Sequence, residues 1–296
     1  MTASNKSQET RYVIITPVRD EEKHIEDTIR SVLAQTIAPA EWVIVDDGST
    51  DSTGAIIDRY AARYAWISAV HRLDRGFRHP AAGVMEAFEE GFCGLKTVQW
   101  DFVVKLDGDL KFGTDYFEKC FVEFQRDPSL GIGGGKVVQV EKGIVGSDPS
   151  GPPFHVRGAT KIYRRACWEA IGGLIKAPGW DTVDELKANM LGWRTRTFAK
   201  VEIEQQRITG AADGMWQNAV KDGRADYVSG YHPVFMLFKC LKRTIDRPFL
   251  LRAAGLLCGY AGGCLTGAPR VTDEQLIRYV RRQQLRRLLL QESIWK

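Results

Sequence analysis

Two short apolar runs end in carboxylates. Trp42-Val43-Ile44-Val45 leads into Asp46-Asp47-Gly48-Ser49-Thr50-Asp51, and Phe102-Val103-Val104-Lys105-Leu106 leads into Asp107-Gly108-Asp109. Runs that are apolar at successive rather than alternate positions fit strands of a parallel sheet covered on both faces. The acidic clusters then fall at one edge of the sheet, where open α/β sheets take their ligands. Clustered carboxylates repel one another at neutral pH unless a cation or hydrogen-bond donors lie among them. The arrangement therefore favours a divalent cation with a phosphorylated ligand.

The flanking sequence repeats one pattern. Tyr12-Val13-Ile14-Ile15-Thr16-Pro17 reads as a first strand, and Asp20-Glu21-Glu22 opens a helix with Ile25, Ile29, Val32 and Leu33 on one face. Strand and helix alternate again through 42–45, 53–64, 67–71, 82–91 and 102–106, with a further helix over 116–125. Such alternation predicts an α/β fold with a mostly parallel, right-handedly wound sheet flanked by helices. Gly131-Ile132-Gly133-Gly134-Gly135-Lys136 fits neither GxGxxG nor a P-loop and reads as a tight turn before a strand over 137–140. The Gly, Pro and Ser of 143–153 predict a lid or acceptor loop. A strand over 155–163, a short helix over 166–171 and a helix over 183–191 ending at Gly192 follow.

Composition matters at the two ends. Residues 1–11 are polar, lack the apolar core of a secretory signal and read as a loose tail. The six cysteines form no CxxC pair and lie among apolar neighbours, which predicts free thiols in a reducing compartment. The net charge of +4 hides an asymmetry: 239–296 holds twelve Lys and Arg against four Asp and Glu, a balance of +8 that leaves −4 for the rest. The same segment contains the most apolar stretch, Phe249 to Ala268, interrupted by Arg252 and loosened by five glycines. Two readings stay open. The stretch lies on a membrane interface with Arg270, Arg278, Arg281, Arg282, Arg286 and Arg287 at anionic headgroups, or it packs on the preceding domain and the arginines form a solvated face. A full span is the weaker reading because of the internal charge. No aromatic interleaving or recognition motif points to nucleic acid.

Four motifs in order now make a resemblance: Thr16-Pro17-Val18-Arg19-Asp20-Glu21, Asp46-Asp47-Gly48-Ser49-Thr50-Asp51, Asp107-Gly108-Asp109 as a DxD signature, and Gly179-Trp180-Asp181 in place of a Gly-Glu-Asp. With them the chain resembles the inverting glycosyltransferases of family 2 over roughly Tyr12 to Gly210. The resemblance implies the GT-A fold: a Rossmann-like nucleotide-binding half, about 12–110, joined in one sheet to an acceptor half, about 111–238. The helical basic segment 239–296 is then an addition.

The resemblance also implies roles. Asp109 would bind Mg2+ or Mn2+ directly, while Asp107, with Gly108 beside it, would meet the metal through water or touch the ribose. Pro17, Arg19 and Glu21 would line the nucleotide pocket, and Asp47 would accept hydrogen bonds from the base or ribose. Arg72, Arg75, Arg78 and His79 follow the third strand, where relatives place donors near the diphosphate. Arg157, Gly158 and Trp180 belong to the acceptor side. Arg207 sits where relatives place a diphosphate contact, and the missing tryptophan of QxxRW favours addition of a single sugar. Asp181, eleven residues before Gly192, would be the base that deprotonates the acceptor hydroxyl. Asp184, one helical turn on, is its rival. Without the resemblance, Asp107-Gly108-Asp109 also reads as a strand-ending turn, and the other acidic clusters as helix starts.

The resemblance implies a metal-dependent transfer of one hexose from a nucleotide-diphosphate sugar to a glycan or lipid-linked acceptor. It would take place at the cytoplasmic, inner face of the plasma membrane, in surface glycan or exopolysaccharide assembly. A sugar nucleotidyltransferase is the enzymatic alternative, but 16–21 lacks the glycine-rich basic loop it would carry. An inactive glycan-binding or scaffold protein is the other, and Trp180 in place of an acid is its support.

Overall fold

The structure, a computed structural model, describes residues 10–76, 82–141, 144–147, 151–174, 179–207, 214–245 and 250–295. Its first half is the expected alternation. Strands β1 (Tyr12–Val18), β2 (Glu41–Asp46), β3 (Ile67–His71) and β4 (Phe102–Leu106) pair in parallel in the order β3-β2-β1-β4, and helices α1 (Ile25–Leu33), α2 (Thr53–Ala61) and α3 (Ala82–Cys93) connect them. Successive residues of each strand enter opposite cores. Tyr12, Ile14, Trp42, Ile44 and Val104 pack on one face, while Val13, Ile15, Val43, Val45 and Val103 pack on the other. That two-sided burial explains why these strands read as unbroken apolar runs.

The second half departs from the expectation in three places. After β5 (Leu110–Lys111) and α4 (Tyr116–Arg126), the glycines of 131–135 lie inside a long strand, β6 (Leu130–Glu141), and do not form a tight turn. They are there for close packing: a methyl at Gly133 would run into the Phe198 ring, and one at Gly134 into the Thr160 carbonyl. Part of the expected loop is strand β7 (Ile144–Ser147), paired with β6; residues 142–143 and 148–150 lie outside the described residues. The expected strand over 155–163 shrinks to β8 (Thr160–Arg164), which runs antiparallel between β4 and β6. Helices α5 (Arg165–Ile171) and α6 (Trp180–Met190) follow, and α6 ends near Gly192 at φ +89.

Strand β9 (Arg194–Gln205) is not legible in the sequence, because Arg194, Ala199, Lys200, Glu202 and Glu204 are exposed and strict alternation is confined to Val201, Ile203 and Gln205 at its end. It pairs in parallel with β6 and antiparallel with β5, with Leu110 opposite Gln205. Among the described residues the main path of the sheet is β3-β2-β1-β4-β8-β6-β9-β5. The return of β9 to β5 brings residues 205–207 to the acidic edge.

Helices α7 (Gly214–Val228), α8 (Pro233–Arg243), α9 (Leu251–Leu265) and α10 (Glu274–Leu288) complete the chain. Helices α7 and α9 meet backbone to backbone: a methyl at Gly259 would run into the Val220 carbonyl, and one at Gly223 into that of Leu256. The core of these helices includes Phe154 and the α6 residues Val183 and Leu186, so residues on both sides of position 238 share it. Among the described residues no helix is long and apolar enough to cross a membrane.

Candidate functional site

The loops after β1 and β2 are laced together. Asp20 N donates to Ser49 Oγ at 2.9 Å, Thr50 N to Asp20 Oδ1 at 2.9 Å, Glu21 N to Thr53 Oγ1 at 2.8 Å and Glu22 N to Asp51 Oδ2 at 3.1 Å. Two motifs thirty residues apart in the chain thus form one rigid edge; Asp20 takes a positive φ of 54 to allow it. Pro17 is buried in β1 opposite Val45.

Asp47 lies in this edge between two guanidinium groups, with Arg72 Nη1 2.5 Å from Oδ1 and Arg75 Nη2 2.5 Å from Oδ2. Arg19 donates to the Asp47 carbonyl at 2.8 Å and to Asp74 Oδ1 at 2.6 Å. Arg72 and Arg75 also reach Glu86. Arg78 and His79 lie outside the described residues. The expected acceptor of base or ribose hydrogen bonds is therefore already charge-paired here by two of the expected donors.

Asp107 and Asp109 diverge. The Asp107 carboxylate pairs with Lys105 Nζ, and its backbone N–H donates to the Ala159 carbonyl at 2.8 Å. Gly108 is required by Val18, whose Cγ1 occupies the space a side chain would need. Asp109 is buried; its Oδ2 accepts from Gln205 Nε2 at 3.2 Å and lies 3.8 Å from Arg207 Nε, while Oδ1 has no hydrogen-bond partner among the described residues. Burial first and the Asp107 charge second raise its carboxyl above the usual range, against the pull of Arg207, Gln205 and Lys105. Arg207 itself spans to Glu21, Nη2 to Oε1 at 2.7 Å. Residues 21, 109 and 207 thus meet at one spot.

Across the same edge stands α6. A methyl at Gly158 would lie 3.3 Å from Asp181 Cβ and Oδ2 and from Trp180 Cζ2, so Gly158 faces Asp181 directly. Lys105 Nζ bridges the two halves, donating to the Gly158 carbonyl at 2.6 Å and lying 5.5 Å from the Trp180 ring. Arg157 is half-buried beside Gly158. Asp181 is half-exposed, whereas Asp184 is fully buried. The Asp184 carboxylate takes Lys161 Nζ at 2.9 and 3.1 Å and the Tyr163 hydroxyl at 2.5 Å. Burial, opposed by Lys161, raises its carboxyl to about 6.

Lys161 holds this turn of helix. Its Nζ also donates to the Asp181 carbonyl and lies 2.7 Å from Glu185 Oε1. Glu185 in turn accepts from Val156 N at 2.7 Å and contacts His155 Nδ1 at 3.0 Å, tying the 155–158 loop to α6. Lys105 and Lys161 face each other across β4 and β8. Neither was singled out from the sequence, although a lysine inside an apolar strand, as in Phe102-Val103-Val104-Lys105-Leu106, is the signal that finds one of them.

Comparison with known proteins adds the following. The family described as Glycosyl transferase family 2 matches residues 13–164, just over half of the chain. A Bacillus subtilis protein, "Uncharacterized glycosyltransferase EpsJ", is 28% identical over 114 residues, covering 38% of this chain and 30% of its own length. The Staphylococcus aureus poly-beta-1,6-N-acetyl-D-glucosamine synthase is 28% identical over 128 residues, covering 43% and 29%. The chain therefore matches less than a third of the length of these relatives. Among solved structures, S. aureus TarS 1-349 in complex with UDP-GlcNAc has a TM-score of 0.53 at 16% identity, covering 95% of this chain and 86% of that one. The Pyrobaculum calidifontis mannosyltransferase PcManGT, in complex with GDP-Man and Mn2+, has a TM-score of 0.55 at 17% identity, covering 92% and 79%. These structural likenesses establish a shared fold.

Proposed function

The chain belongs to glycosyl transferase family 2, and from that premise we propose that it moves one hexose from a nucleotide-diphosphate sugar to an acceptor hydroxyl, with inversion and with a divalent cation. The observation that carries the reading is the meeting of Glu21, Asp109 and Arg207 at the carboxyl edge, with Asp181 across it beside Gly158. PcManGT and TarS, bound to GDP-Man with Mn2+ and to UDP-GlcNAc, support a nucleotide-sugar donor.

Asp109 suits a cation: its buried Oδ1 lacks a hydrogen-bond partner among the described residues, and an ion would relieve the repulsion from Asp107. No group of three or more His, Cys, Asp or Glu converges among the described residues, so Asp109 would act with diphosphate and water oxygens. Mg2+ or Mn2+, when bound, supplies Lewis-acid stabilisation of charge on the leaving diphosphate. Arg207 adds a second positive charge there, and Pro17, Arg19, Asp47, Arg75, Asp107 and Gly108 shape the nucleotide side.

Asp181 takes the acceptor proton, because it is the accessible carboxylate at the start of α6. Asp184 has every face of its carboxylate engaged in the core and serves to position that turn. Arg157, Gly158 and Trp180 line the acceptor approach. The family resemblance and the basic segment 239–296 support a lipid-linked acceptor at the inner face of the plasma membrane, in assembly of a surface glycan.

A thermal-shift and calorimetric panel of UDP- and GDP-sugars with Mn2+ or Mg2+ tests the donor. Metal-dependent binding is expected in the parent and absent in Asp109→Ala. Binding of no donor under any metal would end the reading. Donor hydrolysis without acceptor would count against the glycan-binding alternative.

A further inference from the structure

The helical body carries an apolar surface that no described part of the chain covers. On α8, Val234, Leu237, Phe238 and Leu241, continued by Ile245, recur at helical spacing and point outward; Phe238 and Leu241 are 53% and 55% exposed. Helix α9 packs beside α8 and turns Leu251, Ala254, Leu257 and Leu265 outward, while Gly255, Gly259 and Gly263 press it against α7. The exposed residues of α8 and α9 include no acid and one cation, Lys242. Exposed apolar residues concentrated on two neighbouring helices mark an interaction site.

We propose that this face docks on an anionic lipid bilayer, with α8 and α9 lying in the plane of the interface. Three observations select that occupant. Helix α9 has 15 residues, about 22 Å at 1.5 Å per residue, short of the roughly 30 Å hydrocarbon core, so it lies along the surface and does not span it. Helices α8 and α9 themselves hold Lys239, Lys242, Arg243 and Arg252 and no acid, a charge that an anionic headgroup layer neutralises. A second copy on the same face would bring two such segments together, and their like charges oppose that arrangement.

Docking here bears on catalysis because α6, whose first turn holds Asp181, shares the core of α7 to α10 through Val183 and Leu186. The bilayer would then stand at a fixed distance from the acceptor side. That consequence rests on the function proposed above; the docking surface does not.

The test is flotation of the full chain, without donor or metal, on vesicles of phosphatidylcholine alone and of phosphatidylcholine with phosphatidylglycerol. The parent should float with the anionic vesicles, and added salt should weaken that binding. The double variant Leu237→Glu/Phe238→Glu should bind about tenfold or more weakly, keep its unfolding midpoint, and keep donor binding. Val98→Glu, an exposed apolar position on the loop before β4, should float like the parent. Failure of the parent to float, or unchanged flotation of the double variant, overturns the proposal. Equal flotation on both vesicles overturns its anionic part. A parent dimer that the double variant splits without vesicles assigns the face to a second copy instead.

Discussion

Arg207 reaches back over the sheet edge to Glu21, Nη2 to Oε1 at 2.7 Å, and its Nε lies 3.8 Å from Asp109. One cation thus stands between two acids that the chain supplies from the loops after β1 and β4. In the proposed function, a diphosphate arriving at this edge would compete for Arg207. Arg207→Met should weaken nucleotide-diphosphate binding about tenfold, the scale of one charge-assisted hydrogen bond. The change also takes a cation from two buried carboxylates, Glu21 and Asp109, so the unfolding midpoint should fall unless a bound cation replaces it. Calorimetry with the Mn2+ nucleotide, alongside thermal unfolding, checks both.

The two candidate bases separate by what they lose. Asp181→Asn should retain donor affinity and lose transfer by about a hundredfold or more, the range for removing a general base. Asp184→Ala should instead lose about 3–5 kcal/mol of folding stability, because it strands part of the charge of a buried lysine. Urea unfolding and single-turnover transfer, run on both variants, decide the assignment. An Asp181→Asn enzyme with parental turnover would reject it.

Lys161 predicts the same cluster from the other side. It is fully buried, and although burial opposes its charge, Asp184 and Glu185 outweigh that and raise its pKa above 10.5. Lys161→Met leaves two buried carboxylates facing each other and should cost about 3–5 kcal/mol. The urea midpoint is the readout.

His155 gives the cluster a pH signature. Burial opposes charge on the imidazole, but Glu185 outweighs it and raises the group above 6.5. Such a group contributes stability that is fully present below 6.5 and lost as pH rises through the folded value. Asp184 has the same sign: raised by burial from 3.8 to about 6, it ionises later in the folded chain, and stability falls across that window. His155→Gln should flatten the decline of the unfolding midpoint above pH 6.5 and leave the decline below it. The difference between parent and variant curves measures this directly.

Gly108 and Val18 should behave as a coupled pair. Gly108→Ala collides with Val18 Cγ1 at the acidic edge and should destabilise by about 1–3 kcal/mol, the range for overpacking. Val18→Ala opens the space, so the double variant should be more stable than the sum of the single changes predicts. A double-mutant cycle by chemical denaturation tests it.

The sequence by itself determined the strand and helix alternation, the parallel half of the sheet and the acidic edge. Each is written in local periodicity, which backbone geometry converts directly into burial. It also placed the motifs carrying Asp47, Asp109 and Asp181. Only the tertiary structure decided that Asp184 is buried and Asp181 accessible, since both fit one helical turn and the neighbours across β8 make the difference. Tertiary pairing also brought Gln205 to Asp109, 96 residues away, and absorbed Gly131 to Gly135 into a strand. It likewise left the outer faces of α8 and α9 bare. Such outcomes depend on strand register and on which surfaces meet, and those are set by contacts between distant segments.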